Sequence, residues 1–233
     1  MRSIWRTVDA RLGRDLARAI GLVLIADGLV GVSFGAIAVS DGFPLWVPIA
    51  MSLVVFAGAA QFMFIGLIAA GGALVPAVLA ALLVNARHLP FGFAVGDVLG
   101  SSKLRRIVGS HVMIDETVAF AIAQRDPARR KAAYWICGIG LFVCWNVGVV
   151  IGAIAGTVIT DTDAFGLDAA FPAVLLALIL PSLRERRTFI AALIGMAIAV
   201  GAAPYLPAGM PVLLALVGVA VCRPMAEEPA EVA

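Results

Sequence analysis

Residues 47–70, VPIAMSLVVFAGAAQFMFIGLIAA, run without one charged side chain. Roughly 20 apolar residues are enough for a helix to cross the hydrocarbon core of a bilayer. Residues 132–160 are also uncharged, and 19–39 carry only Asp27. A soluble domain has no core large enough for such runs. The whole chain bears this out, with 62% hydrophobic and 14% charged residues, against about 25% charged in soluble domains. In lipid a helix satisfies its own backbone groups without help from water. The expected fold is therefore all-α and polytopic, with about six to eight membrane segments.

Charge placement sets the organisation. Five arginines fall in the first eighteen residues, while Ile4, Val8, Leu12 and Leu16 recur every four. Residues 1–18 thus read as an amphipathic helix lying in the membrane interface rather than a cleaved signal peptide. Residues 19–223 read as one transmembrane domain, and the polar tail 224–233 as disordered. Basic clusters at 103–106, 125–131 and 184–187 belong on the cytoplasmic side, as does the N-terminus. The acidic loop with Asp161, Asp163 and Asp168 belongs outside. Three full crossings before Lys103 would violate this order. One of the first three apolar segments is therefore expected to be broken or re-entrant, with FAGAAQF (56–62) and NARHLPFG (85–92) as the candidates.

A faint echo points to two halves. GVSFGAIA at 31–38 resembles GVVIGAIA at 148–155, and Phe-Pro recurs at 43–44 and 171–172. The implied repeats are 19–124 and 132–223, with the basic middle as linker. Cys137, Cys144 and Cys222 sit in apolar runs without a CxxC spacing and read as small apolar residues.

Polar groups at membrane depth are costly, so each is a candidate site. Arg87 lies in VNARHLPFG between Asn85 and His88, where Pro90 and Gly92 predict a break that frees backbone carbonyls. The alternative is an arginine at a span end reaching to the interface. Asp115 and Glu116 form an acidic pair, with His111 four residues earlier on the same helical face. They fit either an ordinary cytoplasmic helix or a half-dry pair able to hold a proton. Gln61 and Gly58 lie among small residues that permit close helix packing or a backbone break. Asp27 faces water, a partner helix or Arg87, and Asn146 suits an interhelical hydrogen bond. No HExxH motif is present and the two histidines lie far apart, so neither an enzyme nor a metal site is expected. No cofactor and no nucleic-acid partner are expected either.

GVSFGAIA, MSLVVFAGAAQF, VNARHLPFG and IDETVAFAI follow one another in the order and spacing of the AzlC family, which the chain resembles over residues 17–223. That family supplies the large subunit of bacterial branched-chain amino-acid exporters. The resemblance implies export of valine, leucine, isoleucine and sometimes methionine from the cell across the inner membrane. It also implies proton coupling and a small AzlD-type membrane subunit, with homo- or hetero-oligomers as the working form. Arg87 or freed amides would then bind the substrate carboxylate, beside Asn85 and His88. Asp27, Asp115 or Glu116 would offset the ammonium, and Phe34, Phe56 and Phe62 would accept the side chain. Asp115 or Glu116 would carry the proton. The chain departs from the family pattern at Ser33, Ala60 and Pro90-Phe91, which puts cargo identity in question. A non-catalytic scaffold subunit and a carrier of another small metabolite are the alternative readings.

Overall fold

The computed structural model describes residues 12–158, 176, 180, 182–206 and 210–221, and every structural statement concerns these. The N-terminal residues 1–11, the acidic loop, most of the 169–183 segment, Cys222 and the 224–233 tail fall outside them. The described residues form helices and no strands. They are α1 (Arg14–Ser40), α2 (Trp46–Val54), α3 (Gly58–Ala69), α4 (Leu74–Asn85), α5 (His88–Val95), α6 (Lys103–His111) and α7 (Asp115–Ile122). After these come α8 (Pro127–Gly156), a 3-10 turn (Ser182–Arg184), α9 (Arg186–Ala202), α10 (Met210–Leu214) and α11 (Leu216–Val221). Three stretches are long and apolar enough to cross a bilayer: Arg14–Ser40, Leu74–Val95 and Pro127–Gly156. This is a membrane protein.

The long helices α1 and α8 make the most extensive contact of the molecule, and they run parallel. Their seam is built from glycine. A Cβ on Gly148 would strike the Gly28 carbonyl, and one on Gly152 would strike that of Val32. In return, Gly31 faces the Trp145 carbonyl and Gly35 that of Val149. The two sets of contacts interchange under a shift of 117 positions (148 minus 31, 152 minus 35). Without a hydrophobic driving force in lipid, such backbone approach lets dispersion and weak Cα–H···O contacts hold helices together. At their N-terminal ends the pair is tied by the Arg129 guanidinium, which donates to the Leu12 carbonyl. Asp126 caps α8 by accepting from the Arg129 amide at 2.7 Å, and Pro127 opens the helix.

The segment expected as an uncharged span over 47–70 is broken at residues 55–57. There Phe56 holds φ 33, a left-handed conformation that few non-glycine residues adopt. Its ring is buried and packs edge-on to Phe142 at 5.1 Å. Helix α2 descends from the C-terminal end of α1 to mid-depth, where the buried Ser52 hydroxyl donates to Asn146 Oδ1 on α8. Helix α3 then returns. Gly71, at φ 80, ends it and turns the chain into α4.

Helices α4 and α5 keep one course, because Ala86 and Arg87 retain right-handed backbone while their neighbours bond i→i−3. This interruption precedes Pro90 and Gly92, which lie inside α5, with Pro90 in its first turn. The course ends beside the N-terminal third of α8. There Trp135 Nε1 donates to Val98 O at 3.1 Å and Arg130 to Ala94 O at 2.5 Å. Helix α6 climbs from that same end, with Gly109 O accepting from Tyr134 at 2.9 Å. After a break at 112–114, α7 descends again, Thr117 facing Gly138 and Ala121 clustering with Tyr134. His111 and Asp115, expected on one helical face, are therefore on separate helices. The reason is the extended Ile114, whose amide donates to Thr117 Oγ1 at 2.9 Å and closes the turn.

Two hairpins thus enter from opposite ends, and their tips touch. His111 Nε2 lies 2.9 Å from the Leu53 carbonyl as donor, and its ring packs near Phe56 and Phe142. Beyond the central group, α9 packs on α11 through Gly195 and Gly218.

Candidate functional site

A small cavity of about 80 Å³, partly open, lies where the two hairpin tips meet the long helices. Five segments line it. Helix α1 supplies Asp27 and Val30, the first tip and α3 supply Phe56 to Ala59 and Phe62, and the α4–α5 junction supplies Arg87. The second tip gives Ile114, Asp115 and Glu116, and α8 gives Trp145. Most of the apolar lining belongs to bulky side chains, and the charged groups converge from three separate elements.

Arg87 Nη2 is 2.8 Å from Asp115 Oδ2, with both side chains about a quarter exposed. The guanidinium stays at depth because this carboxylate meets it, which a charge-assisted hydrogen bond makes favourable. Asp27 and Glu116 bring two further carboxylates to the same space, so acid outnumbers base among the lining residues. Carboxylates held close in a half-dry site repel each other, and a shared proton relieves that repulsion.

Phe34 stands behind the wall rather than on it. It is fully buried, meeting Phe62 edge-on at 5.2 Å and stacking with Trp145 at 6.0 Å. Asn85 and His88 are not among the lining residues. His88 Nδ1 donates to the Asn85 carbonyl at 3.0 Å, and Asn85 Oδ1 is buried without a partner. Gln61 is fully buried, and neither of its amide atoms is hydrogen-bonded. Gly58 opens α3 at the cavity, whereas Pro90 and Gly92 line nothing there. Ser33 bonds back to the Leu29 carbonyl of its own helix at 3.3 Å.

Trp145 is the residue that sequence reasoning passed over. A tryptophan in the middle of an uncharged span lies far from the interfacial belt where this residue gathers in membrane proteins. That displacement was the available signal. Among the described residues no group of three or more His, Cys, Asp and Glu is placed to hold a metal ion.

A helical membrane protein in which two hairpin tips meet at a charged cavity has the broken-helix architecture from which transporters build binding sites. Residues 23–159, which contain every residue lining the cavity, match the AzlC protein family, and the chain belongs to that family. It is 27% identical to the branched-chain amino acid transport protein AzlC of Bacillus subtilis, over 82% of this chain and 76% of the relative. It is 30% identical to the inner membrane protein YgaZ of Escherichia coli, over 66% of this chain and 62% of the relative. An uncharacterized membrane protein of Helicobacter pylori is 28% identical over 76% of this chain and 78% of its own length. No solved structure matches the chain.

Proposed function

We propose that this chain is the transporting subunit of an exporter of branched-chain amino acids, driven by the proton gradient and working with a small AzlD-type subunit. The observation that carries the reading is the cavity itself. It combines carboxylates for an ammonium group, an apolar wall of Val30, Phe56, Phe62 and Ile114, and walls made of two hairpin tips. The Bacillus subtilis relative, a branched-chain amino acid transport protein by name, supports the cargo class.

In this reading the substrate ammonium faces Asp27 and Glu116, and these two carboxylates exchange the coupling proton. Asp115 is the strut that holds Arg87. The inner membrane is the setting, with the α1 N-terminus cytoplasmic. Arg129, Arg130 and Lys103 lie at that end, as the excess of cytoplasmic basic residues requires. The α2–α3 hairpin then enters from outside and the α6–α7 hairpin from inside, and the basic run at 103–106 falls on the cytoplasmic side without an extra crossing. The reciprocal glycine contacts of α1 and α8 support two repeated halves, 19–124 and 132–223.

The test is counterflow in proteoliposomes preloaded with valine, leucine or methionine, with and without the small subunit. Saturable exchange of labelled valine, accelerated by an inward-acid gradient, is expected. Absence of exchange in the presence of the partner removes the reading.

A further inference from the structure

The Arg87 guanidinium engages a carboxylate of its own chain through Nη2, so a different donor set is open to a bound anion. Helix α3 supplies the first part. It starts at Gly58 with no side-chain cap, and its first helical bond runs from the Gln61 amide to the Ala57 carbonyl. The amides of Gly58, Ala59 and Ala60 are the orphan donors of a twelve-residue helix, and Gly58 and Ala59 line the cavity. The alanines and the glycine carry no group that competes for these amides.

The second observation is independent. Trp145 lines the same cavity, is 3% exposed, and has an indole N–H that meets no acceptor. A buried donor without a partner is unfavourable and calls for a ligand, an ion or a water to complete it. Its ring lies over the start of α3 so closely that a Cβ at Gly58 would sit 2.9 Å from Cη2. Glycine there is what lets the indole and the helix start share one corner.

We infer that the Trp145 indole and the first amides of α3 form the clamp for the carboxylate of the transported amino acid. This deepens the transport reading and rests on it for the identity of the amino acid. The carboxylate takes the positive end of α3 and the indole proton, the ammonium turns toward Asp27 and Glu116, and the side chain lies along Val30 and Ile114. Arg87 contributes charge from its strut without giving up Asp115.

Three probes of the same apolar body separate the contributions: L-valine, isovalerate (no ammonium) and isobutylamine (no carboxylate). Binding is measured on the purified full chain in lipid nanodiscs. Trp145→Phe keeps an aromatic face on the smaller ring and removes the donor. It is expected to weaken valine and isovalerate roughly tenfold, as loss of a hydrogen bond to a charged group does, and to leave isobutylamine unchanged. Equal weakening of all three probes makes Trp145 a wall only and overturns the clamp. So does unaltered valine affinity.

A second measurement needs no substitution. In the ¹⁵N-tryptophan spectrum of the unaltered protein, one indole proton of the four tryptophans is expected to move downfield with valine and isovalerate and not with isobutylamine. A spectrum in which no indole responds overturns the clamp. Isovalerate binding through Trp145 without selection for valine would instead uphold the clamp and defeat the amino-acid reading.

Discussion

Arg87 Nη2 and Asp115 Oδ2, 2.8 Å apart, join a helix that crosses the whole protein to the tip of a hairpin that goes only half way. Nothing in the chain order brings these residues together. The contact spans two breaks, the tightened turn at 86–87 and the extended residues 112–114. It fixes how deep the hairpin sits.

Replacing one partner leaves the other half-buried and unpaired. Asp115→Asn is expected to cost about 1–3 kcal/mol, between the values for exposed and fully buried pairs. The double variant Arg87→Gln/Asp115→Asn should recover part of the loss. Thermal unfolding in detergent reads both. A double variant as unstable as the sum of the singles would mean that the pair contributes no coupling.

The glycine seam makes a sharper prediction. Gly152→Ala forces a methyl group into the Val32 carbonyl and should destabilise by about 1–3 kcal/mol, the usual cost of overpacking. Gly21 has open space around its Cβ direction. There alanine is expected to be neutral or to raise the melting temperature, since alanine exceeds glycine in helix propensity by up to about 1 kcal/mol. Similar losses at both positions would refute the seam as the source of the effect.

Glu116 and Asp27 share the cavity as two carboxylates, so removing one ends the repulsion that makes a proton useful. Glu116→Gln is expected to allow valine exchange at a rate independent of pH while abolishing uphill efflux. The measurement is counterflow at several pH values beside gradient-driven export. A variant that still concentrates valine under an imposed proton gradient would exclude Glu116 from coupling.

The opposed hairpins can be checked by labelling. In a cysteine-free background, a single cysteine at Ser101 should react with a membrane-impermeant maleimide only after the cytoplasmic side is opened. One at Ala73, exposed in the turn between α3 and α4, should react in intact cells. Labelling of both from the same side would refute the assignment.

How much of this was legible beforehand depends on which residues one follows. The basic run at Lys103 forced one early segment to stop short, and FAGAAQF was one of two places named for it. The chain is indeed broken at Phe56. The second hairpin was harder to see, because HVMIDET looks like the start of one helix from His111 onward. The acidic first turn after Ile114 was the sign of a new helix start there. Pro90 marked the second break, since it has no amide to bond the Ala86 carbonyl four residues earlier and the helix is interrupted at 86–87; Gly92 lies inside α5. Trp145 stayed invisible because apolar patterning in a span reports lipid, not which face looks inward. Asn146 next to it was easier: an amide in lipid needs a partner, and Ser52 provides it.

The seam between α1 and α8 has one more consequence. Two rods touching backbone to backbone have no side-chain layer to slide over, so they behave as a fixed mast. Any cycle that opens the chamber first to one compartment and then to the other must leave that mast standing. The travel falls to the two short-armed loops hung on either side of it.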